Sequence, residues 1–195
     1  IYAVFGELQI PLYDNLDLQV AARYEDYGGA VGSTFDPKVA AKYTVNDNFS
    51  LRGSAQTSFR GPTLNQLSGT VATLQFVAPT SAFKAVDQFG NPNLSPESAF
   101  SFNLGALFEN GGFTASIDYY NFDFSDPIIV EEQSSIVAAA LAALGTATTD
   151  DDAIIGRISF TDNNNDGIND PAEISRIATN VVNGPDIETS GVDIR

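Results

Sequence analysis

The most concentrated chemistry in this 195-residue sequence is the run Asp162-Asn163-Asn164-Asn165-Asp166-Gly167-Ile168-Asn169-Asp170-Pro171-Ala172-Glu173. Calcium takes six to eight hard oxygens, and this spacing offers Asp162, Asn164, Asp166, the Ile168 carbonyl, Asp170 and Glu173, with Gly167 permitting a sharp turn. Two features depart from a helix-flanked calcium loop: the apolar residue stands one place early, and no long helices flank the run. The same residues also make an ordinary Asn/Asp/Gly-rich surface turn. The sequence thus requires no cofactor and leaves Ca2+ open.

Other chemistry is limited by what is missing. The sequence has no His, Cys, Met or Trp. Imidazole bases, Ser-His triads, thiolate metal sites and disulfides are therefore excluded. No Gly-rich phosphate loop or nucleophile elbow appears. The acidic runs Glu131-Glu132 and Asp150-Asp151-Asp152 read as solvated loop charge and take no catalytic role. No catalytic residue is assigned and an enzyme is not expected. A net charge of -16 argues against nucleic acid, since phosphate binding needs clustered Lys and Arg. Residues 123–173 alone hold eleven carboxylates and one cation, Arg157.

The elements that would position these groups are strands. Leu16, Leu18, Val20, Ala22 and Tyr24 alternate with polar residues, as do Val39, Ala41, Tyr43 and Val45 against Lys38, Lys42 and Thr44. Phe49 to Arg60 is the clearest run, and further runs cover 100–108 and 113–119. Weaker runs at about 1–10, 174–182 and 187–195 bring the expected strands to eight. Short connectors at Pro11–Asn15, Asn46–Asn48, Glu109–Gly112 and Asn183–Asp186 alternate with long ones at about 26–36, 61–97 and 127–173. In the third long connector, 134–145 reads as a short capped helix with Ile136, Val137, Ala140, Leu141 and Leu144 on one face.

Long strands and loops that alternate short and long fit a transmembrane β-barrel better than a soluble sandwich, whose strands average five or six residues. Aromatic residues near strand ends (Tyr24, Tyr43, Phe49, Phe59, Phe100, Phe108, Phe113) suit the two interfacial girdles. The opposite face carries Lys38, Lys42, Arg52, Gln56 and Arg60, too polar for a dry core but suited to a lumen. There they would contact a plug or a ligand.

Three strings sharpen this reading. Phe35-Asp36-Pro37-Lys38-Val39, Asn48-Phe49-Ser50-Leu51-Arg52 and Ser58-Phe59-Arg60-Gly61-Pro62-Thr63-Leu64-Asn65-Gln66-Leu67 form the first; Asn91-Pro92-Asn93-Leu94-Ser95-Pro96-Glu97 is the second and Thr189-Ser190-Gly191-Val192-Asp193-Ile194 the third. In order and spacing they resemble the barrel of TonB-dependent outer-membrane receptors, with Phe59, Arg60, Pro62, Asn91, Pro92 and Gly191 as the motif positions. The resemblance implies an all-β antiparallel barrel of about 22 strands, of which residues 1–195 would supply about eight as a middle segment. The fold class expected is thus all-β with one short loop helix. The long loops would be extracellular and the plug domain would lie elsewhere in the full-length protein.

The same resemblance implies function and partners. A receptor of this kind sits in the outer membrane of a Gram-negative bacterium and imports a scarce solute (siderophore, cobalamin, saccharide or peptide) with energy from the inner membrane. Its partners would be lipid, the plug, the small solute and the TonB complex, reached through an N-terminal part not present here. The alternative is a calcium-stabilised extracellular β-rich adhesion or interaction domain, because 162–173 also resembles the Asp-rich calcium repeats of adhesive proteins.

Overall fold

The computed structural model describes residues 1–29, 31–143, 154–163, 165 and 170–195. In chain order the strands are β1 (Tyr2–Tyr13), β2 (Leu16–Gly28), β3 (Gly32–Asn46), β4 (Phe49–Arg60), β5 (Thr70–Val77) and β6 (Ala82–Phe89). They continue as β7 (Glu97–Asn110), β8 (Phe113–Ser125), β9 (Ile128–Val130), β10 (Ile158–Phe160), β11 (Ile174–Asn183) and β12 (Ile187–Ile194). Helices α1 (Leu64–Ser68) and α2 (Gln133–Ala143) complete the set. The chain divides into a barrel unit (1–62, 95–127, 183–195) and a loop unit (63–94, 128–182).

The barrel unit is one antiparallel sheet in the order β1-β2-β3-β4-β7-β8-β12. Its register sorts the side chains by chemistry. One row across the sheet reads Leu18, Ala41, Gly53, Leu104, Tyr119, Val192; a row on the opposite face reads Asp17, Lys42, Arg52, Gly105, Asp118, Asp193. The apolar band runs obliquely to these rows. On β2 and β3 it reaches up to Tyr24 and Phe35, whereas on β8 it stops at Tyr119, level with Leu18, and extends down to Phe113. An oblique band is what tilted barrel strands present to a flat bilayer.

The hairpins explain the strand lengths. Gly111 (φ 58°) and Gly112 (φ 87°) make a two-residue turn that needs a left-handed backbone at both positions. The expected long loop at 26–36 is instead strand: Tyr24 pairs with Phe35, Glu25 with Thr34 and Asp26 with Ser33, and the turn lies within Gly28–Gly32. Alternation through Thr34, Phe35, Asp36 and Pro37 sustains β3, and the β3–β4 ladder stops at Lys38↔Gln56, beside the one residue with no N–H to donate.

The loop unit is a separate sheet in the order β10-β11-β6-β5, with β9 also paired to β11. The run at 174–182 is a strand as expected, but it joins this sheet. Arg176↔Ala85 to Asn180↔Phe89 pair β11 in parallel with β6, so the barrel sheet holds seven strands of the about eight expected. The reason is packing: Ile174 and Ile177 are buried with Val77, Val86, Ile136, Val137, Ala140 and Ile158. Helix α2 supplies three of these. Its N-terminus is capped by Glu132, whose carboxylate accepts from Ser134 N (3.0 Å) and Ser135 N (2.6 Å), and not by Ser134 itself. Gly145 and Leu144 lie outside the described residues.

The two units bury apolar surface differently. Every buried aliphatic side chain among the described residues, Pro62 apart, belongs to the loop unit, while Phe35, Leu104, Ile117 and Val192 of the barrel sheet are half or more exposed at 65%, 61%, 50% and 56%. A protein-free apolar face this extensive marks an interaction surface, and the oblique band makes lipid its match.

Candidate functional site

The inner face of the barrel unit gathers the five polar residues singled out in the sequence. Lys38 stands opposite Gln56 and Lys42 opposite Arg52, with the row Ala40–Ser54 between them, and Arg60 stands opposite Glu97. A cavity of about 420 Å³ is lined by Lys38, Lys42, Arg52, Gln9, Gln19 and Asn103, among others. Arg52 and Arg60 are not free cations. Arg52 Nε and Nη2 donate to the two Asp118 oxygens at 2.8 and 2.6 Å, and Arg60 makes the same two-pronged contact with Glu97. Lys38 and Lys42 have no ion-pair partner among the described residues. Lys42 stands in register with Asp17, and Lys38 with Ala21.

The Arg52–Asp118 pair spans a strand. Arg52 is on β4 and Asp118 on β8, each in register with Gly105 of β7 between them. A Cβ on Gly105 would fall 1.9 Å from Asp118 Oδ1, so the absent side chain is what lets the pair close. Gly191 works likewise. It is in register with Tyr120, whose Oη would be 2.5 Å from a Cβ there, so the phenol lies over the glycine.

Above Tyr119 the alternation of β8 reverses, which the sequence reading missed. Tyr120, Phe122 and Phe124 take the inner parity, with ring centroids 5.9 and 6.2 Å apart in succession. Asn121 and Asp123 take the outer parity, and Asn121 Nδ2 donates to Glu188 at 2.8 Å. The doubled aromatic Tyr119-Tyr120 was the signal. A rail of rings beside Arg52 and Asn103 can pack flat apolar groups while the charges hold polar ones. Its neighbourhood is a second cavity of about 770 Å³ lined by Arg52, Asn103, Asp118, Tyr120 and Phe122.

The remaining motif positions have structural roles. Phe59 packs against Tyr27 with centroids 5.5 Å apart, and Pro62 is buried. Asn91 Oδ1 accepts from Asn93 N at 2.9 Å, fixing the Asn91-Pro92-Asn93 turn, and Leu94 is buried with Ile128 and Val181. Asn183 is a clasp in the barrel unit: its amide donates to Ser95 O (2.9 Å) and Asp126 O (2.8 Å) and accepts from Ser95 N (2.8 Å). Of the candidate calcium ligands, Asp162, Asp170 and Glu173 are described in the loop unit; Asn164, Asp166 and Ile168 lie outside the described residues.

A tilted antiparallel wall, apolar outside and ion-paired inside, defines a membrane β-barrel. A family model described as TonB dependent receptor-like, beta-barrel, matches residues 1–194, and the chain belongs to that family. A curated relative, a probable TonB-dependent siderophore receptor PirA of Acinetobacter baumannii, is 24% identical over 131 residues, covering 66% of this chain and 17% of that protein. The iron-regulated outer membrane virulence protein of Vibrio cholerae is 26% identical over 128 residues, 65% of this chain and 18% of that protein. The siderophore receptor PirA of Pseudomonas aeruginosa superposes with a TM-score of 0.68 at 17% identity, over 98% of this chain and 30% of that one. The chain thus spans less than a fifth of the curated relatives. Nothing in these comparisons supports the adhesion-domain alternative, and the family is one of receptors and transporters.

Proposed function

We propose that this chain is a stretch of barrel wall from an outer-membrane importer that takes up an iron-carrying siderophore, driven by the TonB complex. The family match across residues 1–194 carries the reading, supported by relatives named as siderophore and iron-regulated receptors. The long connections between β4 and β7 and between β8 and β12 face outward and meet the solute. The inner wall supplies Lys38, Lys42, Arg52, Gln56 and Arg60 to a plug or to the solute in passage. Lys38 and Lys42, which form no ion pair among the described residues, attract an anionic carrier, and the Tyr120–Phe122–Phe124 rail packs its rings.

The full-length receptor gene tests this in its own host. Deletion is expected to abolish growth on ferric siderophore as sole iron source, with rescue by the restored gene only when TonB is intact. Rescue without TonB, or loss of cobalamin or oligosaccharide uptake with siderophore uptake unchanged, would overturn the proposal.

A further inference from the structure

The sequence contains two Asn-Gly steps, Asn110-Gly111 and Asn183-Gly184, and the barrel unit holds them in contrasting ways. Asparagine followed by glycine is open to attack on its own side-chain amide, because no Cβ on the next residue hinders that residue's backbone nitrogen from reaching the asparagine Cγ. The outcome depends on whether the nitrogen and the amide are free to meet.

At Asn183 neither group is free. Both of its amide N–H groups are used, on Ser95 O (2.9 Å) and Asp126 O (2.8 Å), and the amide oxygen accepts from Ser95 N (2.8 Å). Gly184 N donates to Pro127 O at 2.7 Å. A carboxylate in place of this amide would set an oxygen without a hydrogen against two carbonyls. At Asn110 both groups are free. Asn110 and Gly111 are exposed, and neither the Asn110 amide nor Gly111 N has a hydrogen bond among the described residues. A Cβ built on Gly111 would meet nothing within 4 Å, so the approach is open. The adjoining register does not rest on Asn110: Glu109 N donates to Asn48 O (2.8 Å), and Asn48 Nδ2 donates to Glu109 O (2.7 Å).

We propose that Asn110 is a site of spontaneous deamidation and that the clasp around Asn183 shields the second step from the same reaction. Gly111 N gives up its proton and forms a bond to Asn110 Cγ; the Cγ–Nδ2 bond breaks, and the amide nitrogen leaves with that proton as ammonia. One water then opens the five-membered imide, at Cγ to give aspartate or at the backbone carbonyl carbon to give isoaspartate, and the new carboxyl group releases a proton. Aspartate adds a negative charge to the turn between β7 and β8. Isoaspartate also lengthens the main chain there by a carbon atom. Short turns of outer-membrane barrels lie in the periplasm, where water reaches them.

The test holds the full-length receptor in detergent at mildly alkaline pH, follows each Asn-Gly peptide by mass spectrometry and scores isoaspartate by enzymatic methylation. In the folded receptor Asn110 is expected to convert at least tenfold faster than Asn183. In guanidinium chloride, with the clasp undone, the two rates should agree within about threefold. Asn110→Gln should abolish the signal at 110, since its ring would need six members. Asn110→Asp should leave the thermal unfolding midpoint unchanged, whereas Asn183→Asp should lower it by at least about 2 °C. Equal rates at the two steps in the folded receptor, protection of Asn183 that persists in denaturant, or equal effects of the two Asp substitutions would overturn the proposal.

Discussion

Gly105→Ala is the sharpest probe of the inner wall, because it adds one carbon where an ion pair crosses a strand. The new Cβ would sit 1.9 Å from Asp118 Oδ1 and 3.1 Å from Arg52 Nε. The carboxylate must swing away, and both hydrogen bonds to Arg52 are lost. The Arg52 and Asp118 side chains are 51% and 21% exposed, so water screens the pair, and even a bidentate contact is worth about 1 kcal/mol here. Against that loss, alanine in a strand gains roughly 0.5–1 kcal/mol over glycine through a less flexible unfolded chain. The single substitution should therefore be nearly neutral. The informative measurement is a double-mutant cycle on the full-length barrel, read from guanidinium unfolding midpoints in detergent at constant slope. In an Asp118→Ala background Gly105→Ala should stabilise by about 0.5–1 kcal/mol, a coupling of about 1 kcal/mol between positions 105 and 118. Additivity within about 0.3 kcal/mol would refute the claim that the glycine exists to seat the pair.

Three further outcomes are expected. Val39→Arg, on the outer face, should cost about 2–4 kcal/mol in lipid, while neighbouring Ala40→Arg, on the inner face, should cost less than about 1; equal costs would put the lipid on the wrong side. Gly191→Val should displace the Tyr120 ring and destabilise the β8–β12 edge by about 1–3 kcal/mol, seen as faster amide exchange in both strands. In the loop unit, burial raises the Glu131 carboxyl pKa, but hydrogen bonds from Arg157 and from Asn180 N at 2.7 Å outweigh it and leave the group below the usual carboxylate range. A lowered folded value stabilises fully above the unfolded pKa of about 4.3 and is lost as pH falls through the folded value. Exchange protection of β11 should thus be flat from pH 7 to about 5 and drop in stronger acid, and Glu131→Gln should start lower at pH 7 and lose that acid step.

Where the sequence was legible, two different solvents had written it. Leu16 to Tyr24 and Phe49 to Phe59 alternate because one side of each strand meets lipid and the other a polar lumen, so period two, strand length and face were all readable. β11 shows the limit of that signal. Ile177, Thr179 and Val181 alternate just as cleanly, yet they are buried against a dry protein core, and period two cannot say which of two sheets a strand joins. The hairpin β5–β6 was hidden for the opposite reason: Leu74 and Phe76 are exposed while Val77 and Val86 are buried, so apolar residues fall on both faces and no single period survives. The candidate site divides along the same line. That Arg52 and Arg60 point inward followed from parity alone, but their partners did not: Asp118 is 66 residues away, and the pair depends on a side chain that Gly105 lacks. A missing atom leaves no mark in composition or periodicity. It acquires meaning only once the register has set Arg52, Gly105 and Asp118 in one row, which is why the pairing of this wall had to be read from the structure.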